Sequence, residues 1–401
     1  MVNLTINSFW LLLLLLSGPA LFNIKKLRLR SWLFLLINIG LYLSCIRSLE
    51  GFLAIVIFVT LPLALIRLVQ KKFLPLWSAI SIVIILFIYI NNYSWLLSLI
   101  PGSSRFLFSA KILGLSYILF RVIDVMVHAR AGLIKKINLF EYFNYLFSFY
   151  TILAGPIQRY RDFLSFFYSV KLPDERQALR YLHRAAGGML KILVLAVLMK
   201  SVSDTAYLRL LENGFSLKRL AAIFYTYPLY VYFNFSGYCD VVIAMAGWAG
   251  FALPENFDRP YLARNMIEFW NRWHITLSQW LRDFVYQPFF KFLLSGIFSK
   301  HILIAQYLSI FVTFFLVGVW HGTAINFVVF GLLHGIGMVV SMVYRDIITK
   351  LLSKEAFRKY KSNSIIAFTE ILVCAHFVCF TFLFFEYDIK NMFFWLKNLI
   401  P

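Results

Sequence analysis

The chain has 401 residues, of which 61% are hydrophobic and only 14% are charged, whereas a soluble domain is about 45–50% apolar and about 25% charged. This composition excludes a soluble globular protein. The formal charge of +21 does not indicate a nucleic-acid partner, because Lys and Arg stand in short clusters between hydrophobic runs, as they do in the cytoplasmic loops of membrane proteins.

Hydrophobic runs of about 20 residues recur along the chain, and each is long enough to cross a bilayer as a helix. They are too long for the strands of a membrane barrel, and a spanning segment must satisfy its own backbone hydrogen bonds. The sequence therefore predicts an all-α polytopic membrane protein, in which we count about eleven membrane segments.

The positions of the basic residues predict the orientation of the chain. The apolar residues 9–16 resemble the core of a signal peptide, but the basic cluster at 25–30 follows them instead of preceding them. Basic residues return at 67–72 and at 130–136, which is the alternation that the positive-inside rule requires. We therefore expect a retained first helix whose N-terminus is extracytoplasmic.

The hydrophobic run at residues 140–157 contains a break. Gly155 and Pro156 interrupt it, and Arg159 follows. A glycine–proline step at membrane depth indicates a broken or re-entrant segment that is covered by protein.

The stretch 268–286 combines polar side chains with several tryptophans. If it is helical, Asn271, His274 (or Ser278) and Arg282 fall on one face at three- and four-residue spacing. Such a polar stripe suits a helix that lines a polar cavity. The alternative is an interfacial amphipathic helix, because Trp and Arg gather at the depth of the lipid headgroups.

A second histidine, His321, follows the uncharged apolar residues 304–320, so we expect it well inside the bilayer. A neutral imidazole there can take a proton from a hydroxyl and pass it on. The alternative is a packing histidine that is hydrogen-bonded to a neighbouring helix. His334 is interpreted as a structural or supporting residue.

The glycines around these histidines are spaced for close helix packing. Gly318 and Gly322 form one GxxxG pair, and Gly331 and Gly335 form another. The sequence therefore predicts that the helices carrying them touch at short range.

No motif predicts a metal site, a nucleophile elbow or a phosphate-binding loop. The notable acidic residues near the centre of the chain are Asp240 and Asp283. Either could orient a histidine or pair with Arg272 or Arg282.

Four motifs of this chain are those of a known family. They are LAGPIQRYRDF (153–163), FNFSGYCD (233–240), the stretch 254–284, and GVWHG with a trailing HG (318–335). With these motifs in this order, the chain resembles the membrane-bound O-acyltransferase family, in its bacterial branch. The resemblance runs from about residue 115 to the C-terminus, so we divide the chain into N-terminal transmembrane helices (1–114) and a catalytic core (115–401).

The resemblance implies a ring of helices around a thinned centre, crossed by a tunnel that brings an acyl thioester from the cytoplasm to an acceptor outside. It implies that His321 is the essential histidine, as general base or as the group that positions the thioester, with His274 as its companion. His274, Asn271 and Ser278 would orient His321 or hydrogen-bond the oxyanion. The residues expected along the tunnel or against the substrate are Gly155, Pro156, Arg159, Asn234, Ser236, Tyr238, Asp240, Asn271, Arg272, Trp273, Ser278, Arg282, Asp283, Trp320 and Gly322.

The resemblance also implies partners. The thioester donor would be acetyl-CoA or the phosphopantetheine of an acylated carrier protein on the cytoplasmic side, and no cofactor would be bound. An extracytoplasmic accessory protein would complete delivery to a cell-surface polymer such as teichoic acid, alginate or peptidoglycan. The expected location is the bacterial cytoplasmic membrane, in contact with lipid.

The transferred group stays open between acetyl and D-alanyl. After Pro288 the alginate-type members have a Gly-Gly-Asn loop, whereas this chain has the sequence FFKF at 289–292. The compact length and the short spacing between His274 and His321 resemble the D-alanyl transfer type more closely.

Two other functions are weighed against this one. A transporter or flippase would predict an internal repeat and paired charges within the membrane, and neither is evident in the sequence. A lipid- or protein-directed acyltransferase of the same family would more often carry Asn at the position of His274.

Overall fold

The computed structural model describes residues 27–44, 46, 48–91, 93, 112, 114–169, 171–322 and 324–399. The helix predicted at residues 9–16 and the expected extracytoplasmic N-terminus lie outside these residues.

The all-α prediction is confirmed, and in the described part of the chain the one β-bridge joins Phe257 to Trp273. The α-helices of the described residues are α1 (Leu27–Ser44), α2 (Leu49–Gln70), α3 (Leu76–Ile90), α4 (Leu115–Arg130), α5 (Leu139–Leu146), α6 (Tyr160–Tyr168), α7 (Glu175–Leu190), α8 (Val197–Glu212), α9 (Leu217–Trp248), α10 (Met266–Arg272), α11 (Ile275–Leu281), α12 (Gln287–Ser295), α13 (Ile302–His321), α14 (Ile325–Leu351), α15 (Lys354–Ser362), α16 (Ser364–Glu386) and α17 (Ile389–Leu399). Short π-helical segments lie at Lys191–Ala196 and Arg282–Tyr286, and a 3₁₀ turn at Pro260–Leu262.

Six helical segments among the described residues are long and apolar enough to cross a membrane. They are α2, the continuous segment Glu175–Glu212, α9, α13, α14 and α16. Two shorter apolar helices, Leu29–Ser44 and Leu76–Ile90, accompany them. The protein is therefore a multi-pass membrane protein, while the total of about eleven segments stays a prediction.

The chain divides into two compact units. The first consists of residues 1–188 with 238–254, and the second of residues 189–237 with 255–401. The boundary drawn at residues 114 and 115 from the sequence motifs is a different division, and it stays a prediction.

In the first unit, two buried charged side chains of α4 hold a non-helical segment. The Arg121 guanidinium donates to the carbonyl oxygens of Tyr145 (3.0 Å) and Leu146 (2.6 Å) and to the Thr151 hydroxyl. These acceptors lie at the end of α5 and just beyond it. An arginine that is only 1% exposed thus supplies the hydrogen bonds that a continuing helix would have made.

Asp124, one turn further along α4, binds the other end of the same segment. Its Oδ2 accepts the backbone N–H of Tyr160 (2.7 Å) and the hydroxyl of Tyr145 (3.1 Å), and its Oδ1 lies 3.6 Å from Arg159. Helix α5 ends at Leu146 and α6 begins at Tyr160. The predicted interruption around Gly155 and Pro156 is therefore confirmed.

In the second unit, α13 and α14 form a hairpin whose backbones touch. A Cβ on Gly331 would lie 2.3 Å from the carbonyl oxygen of Phe314, and a Cβ on Gly318 would lie 2.4 Å from that of Phe327. No side chain fits at either position, so the predicted close packing is confirmed for these two glycines. His321 is the last residue of α13, where the hairpin begins to turn.

We expect Asp124→Ala to lower the thermal stability of the protein. The change removes the buried acceptor of the Tyr160 amide and the carboxylate that faces Arg159, which we expect to cost about 3 kcal/mol. The measurement is the unfolding midpoint of the purified protein in detergent. The control is Asp162→Ala, an exposed carboxylate on α6; equal midpoints for the two variants would contradict the anchoring role of Asp124.

Candidate active site

His274 stands between two short helices. Helix α10 ends at Arg272, α11 begins at Ile275, and His274 has φ +43° and ψ +52°, the left-handed region. The stretch 268–286 is therefore not one continuous helix. The polar face that a continuous helix would give to Asn271, His274 (or Ser278) and Arg282 does not form.

The break has a physical cause in the segment that precedes α10. Phe257 bridges to Trp273, the amide of Asp258 donates to the carbonyl of Arg272 (2.9 Å), and the amide of Ile275 donates to the carbonyl of Asn256 (3.0 Å). These bonds replace helical hydrogen bonds on both sides of His274. A left-handed non-glycine residue costs about 1–3 kcal/mol and persists only where its surroundings impose it.

The side chain of Asn256 is the immediate partner of the His274 ring. Its Oδ1 lies 3.1 Å from His274 Nδ1, 3.2 Å from the amide of Thr276 and 2.9 Å from the Thr276 hydroxyl. Asn256 is fully buried. Reasoning from the sequence missed this residue, although it lies within the motif at 254–284, because nothing in the sequence joins it to His274.

The environment of the His274 ring favours its neutral form. Burial first, and His321 second, lower the pKa of His274 to about 3. The imidazole is only 3% exposed, and its Nε2 atom is buried without a hydrogen-bond partner among the described residues. At physiological pH the ring is therefore neutral, and its unprotonated nitrogen can accept a hydrogen bond.

His321 lies beside the same indole as His274. The Trp320 ring centroid is 4.5 Å from that of His321 and 6.4 Å from that of His274. Two phenylalanine rings also pack against His321. The ring centroids of Phe385 and Phe330 lie 4.9 and 5.8 Å from that of His321. The structure thus brings the two predicted catalytic histidines together in one aromatic surrounding within the second unit.

His334 differs from His274 in that both of its ring nitrogens are used. Trp270 Nε1 donates to Nδ1 (3.2 Å), and Nε2 lies 2.9 Å from the Thr381 hydroxyl, which itself donates to the carbonyl of Val378. His334 Nε2 therefore donates to Thr381. This geometry agrees with the prediction that His334 is a supporting residue.

Other residues predicted for the site fall into two groups within the second unit. Ser236 is buried, with an Oγ that has no partner among the described residues, and Asn234 bonds the Tyr230 hydroxyl. Trp273 is buried against Phe257 and Phe269.

The second group is exposed or half-buried and has other partners. Asn271 and Arg282 are exposed, Arg282 pairs with Asp283 (3.0 Å), and Arg272 lies 4.0 Å from Glu268. The Ser278 hydroxyl lies 3.3 Å from the carbonyl oxygens of Trp273 and His274 and bonds the backbone of its own helix. The expectation that Asn271 and Ser278 orient His321 stays a prediction.

Five predicted site residues belong to the first unit, namely Gly155, Pro156, Arg159, Tyr238 and Asp240. Asp240 pairs with Arg184 (3.0 Å), and Arg159 with Asp124 (3.6 Å). Their expected place along the tunnel stays a prediction. Gly322, in the second unit, has no room for a side chain, because a Cβ would lie 2.4 Å from the ring of Phe327.

A charged network within the apolar segments was also missed. Lys200 lies 2.8 Å from Asp204 and 3.1 Å from Glu386, and the Tyr227 hydroxyl donates to Glu386 (2.9 Å). The sequence analysis did not find this pairing, which joins α8 to the end of α16. Glu386 directly follows Phe385, so the network lies close to the surroundings of His321.

The fold and this site define a polytopic, all-helical membrane protein with two histidines beside one tryptophan. The membrane-bound O-acyltransferase family model matches residues 65–385. The chain belongs to this family and is an O-acyltransferase that takes its acyl group from a donor.

Curated relatives support this conclusion. A teichoic acid D-alanyltransferase from Bacillus subtilis is 30% identical over 282 residues, which are 68% of each chain. A probable alginate O-acetylase from Pseudomonas syringae is 31% identical over 233 residues, 57% of this chain and 42% of the relative. A peptidoglycan O-acetyltransferase from Helicobacter pylori is 30% identical over 265 residues, 65% of this chain and 44% of the relative.

We expect His334→Ala to destabilise the protein by about 2 kcal/mol, because it leaves the buried Trp270 N–H without its acceptor and removes a packed ring. The measurement is the unfolding midpoint in detergent, with His301→Ala, an exposed histidine outside the helices, as the control. An unfolding midpoint unchanged from that of the wild type would show that His334 does not contribute to the stability of the protein.

Proposed function

We propose that this enzyme transfers an acyl group from a thioester donor on the cytoplasmic side of the bacterial cytoplasmic membrane to hydroxyl groups of an extracytoplasmic cell-surface polymer. The observation that carries the proposal is the pair His274 and His321 beside Trp320, within a chain that matches the family over residues 65–385. The names of the relatives, which act on teichoic acid, alginate and peptidoglycan, support a polymer acceptor.

We infer that D-alanyl is the transferred group. The D-alanyltransferases from Bacillus subtilis and Streptococcus thermophilus are covered over 68% and 70% of their own length, whereas the acetylases named above are covered over less than half. The absence of the Gly-Gly-Asn loop after Pro288 points in the same direction. Acetyl is the second candidate, because the acetyltransferases are as similar in identity over the matched part.

In the proposed reaction, His321 transfers the proton. The acceptor hydroxyl oxygen attacks the thioester carbonyl carbon, the C–S bond breaks, and the thiolate leaves. His321 takes the hydroxyl proton as general base and returns it to the thiolate sulfur, so the products are an ester and a free thiol. The rings of Trp320, Phe330 and Phe385 around His321 limit the access of water, which would otherwise hydrolyse the thioester.

The proposed partners follow from this chemistry. A polymer outside the cell and a thioester inside require the donor to be a carrier protein or coenzyme A that stays in the cytoplasm. An extracytoplasmic accessory protein would complete the transfer to the polymer. The N-terminus of the enzyme would then lie outside, as the distribution of basic residues in the sequence predicts.

We expect His321→Ala to lower ester-linked acyl groups on the host polymer at least about a hundredfold, because loss of a general base removes about that factor or more. Mass spectrometry of isolated polymers, from a deletion strain complemented with wild type or variant, measures the loss and identifies D-alanine or acetate. His301→Ala is the matched control, and immunoblotting of membranes checks the amount of each variant.

Either of two results would contradict the proposal. An unchanged polymer in the deletion strain would mean that the acceptor is a lipid or a protein. Full acylation by His321→Ala would mean that His321 is not the general base.

A further inference from the structure

We propose that Asn256 is a positioning residue that fixes the tautomer of His274, so that His274 Nε2 is the hydrogen-bond acceptor of the acyl-transfer site. The proposal rests on the acyl transfer described above and adds a residue and an assignment of nitrogen atoms to it. It is carried by the contacts of the Asn256 side chain, by the unpartnered nitrogen of His274 and by the conformation of the His274 backbone.

The first step is the identity of the atom that faces His274. Three groups converge on Asn256 Oδ1, and one of them, the backbone amide of Thr276 at 3.2 Å, can only donate. The atom must therefore be the carbonyl oxygen of the side-chain amide, since an NH₂ group at that place would meet the amide of Thr276 as a second donor. A carbonyl oxygen cannot donate, so His274 Nδ1, at 3.1 Å, must carry the proton.

The second step follows from the chemistry of imidazole. A neutral ring with its proton on Nδ1 has a lone pair on Nε2. That nitrogen is buried and has no partner among the described residues, whereas the corresponding nitrogen of His334 is bonded to Thr381. A buried acceptor without a partner is costly, so this position in the protein suits a donor brought by a substrate or by the reaction.

The third step concerns the direction of the ring. The backbone of His274 is held in the left-handed region by the bonds from Asn256 and Asp258 to its neighbours. Phe235 packs edge-on against the His274 ring, with centroids 4.9 Å apart. The Trp320 ring centroid lies 6.4 Å from that of His274. Backbone, Asn256 and Phe235 together restrict the ring, and strained residues of this kind are concentrated at functional sites.

This assignment changes the role expected for His274. A nitrogen that carries a lone pair cannot donate a hydrogen bond to the oxyanion of the tetrahedral intermediate. It can accept one from a hydroxyl or from an N–H group. The resemblance implied that His274 either orients His321 or hydrogen-bonds the oxyanion, and of these two roles the assignment leaves the orientation of His321.

The first test reads the tautomer without any acyl transfer. ¹⁵N chemical shifts of histidine-labelled protein distinguish a protonated from an unprotonated ring nitrogen, and His274→Ala identifies the signals of His274. We expect Nδ1 protonated and Nε2 unprotonated in the wild type and in Asn256→Asp, whose carboxylate also accepts from Nδ1. In Asn256→Leu we expect this tautomer to be lost. Protonated Nε2 in the wild type would overturn the proposal, whatever the enzyme acylates.

The second test compares rates of acylation. We expect Asn256→Leu to lower kcat at least about tenfold, and Asn256→Asp to restore most of it with a pH profile moved upward, because a carboxylate raises the pKa of the neighbouring histidine. Thr276→Val is the matched control: it removes another hydrogen bond to the same oxygen and leaves the one from His274. Equal losses in Asn256→Leu and Thr276→Val would show a merely structural role.

A double variant excludes indirect effects of folding. If Asn256 acts through His274, adding Asn256→Leu to His274→Ala should lower the remaining rate no further. A further tenfold loss in the double variant would contradict the proposal. If polymer acylation were the same in every strain while the tautomer was as expected, the polymer acceptor would be refuted and the assignment of Asn256 would stand.

Discussion

A polypeptide that leaves the helical conformation inside an apolar protein must find other hydrogen-bond partners for its backbone, and both units of this molecule depend on how that requirement is met. In the first unit, Arg121 and Asp124 bind the ends of the segment between α5 and α6. In the second, the backbone of residues 256–258 binds the chain on both sides of His274. Each interruption is thus supported by hydrogen bonds from another segment of the chain, and Arg121, Asp124 and Asn256 among the supporting residues are buried.

The same requirement explains how two short helices can hold His274 in a fixed position. Helices α10 and α11 have seven residues each, too few to be stable without tertiary contacts. Their junction is nevertheless fixed, because one asparagine side chain and two backbone hydrogen bonds define it. The histidine at the junction therefore has little freedom to rotate, as its proposed role in acyl transfer requires.

Comparison of the two fully buried histidines shows how similar burial accompanies different hydrogen bonding. His334 is bonded through both nitrogens and packs against Phe330. His274 is bonded through one nitrogen, and its other nitrogen has no partner among the described residues. Burial alone does not distinguish these two residues; the number of bonded nitrogens does.

The sequence by itself determined the all-α membrane class, the break near Gly155 and the close packing of Gly318, because hydrophobic length and glycine spacing are local properties. It also singled out His274 and His321 as polar residues in apolar surroundings, and their catalytic roles stay predictions. The sequence did not show the break at His274 that separates Asn271 from Arg282, since a helical face can be read from spacing only where the helix is continuous. It also missed Asn256, which lies 18 residues from His274, and the pairing of Lys200 with Glu386, 186 residues apart. Those partnerships were decided by tertiary structure alone, because hydrogen bonds between distant segments depend on how the chain folds back and leave no periodic signal in the sequence.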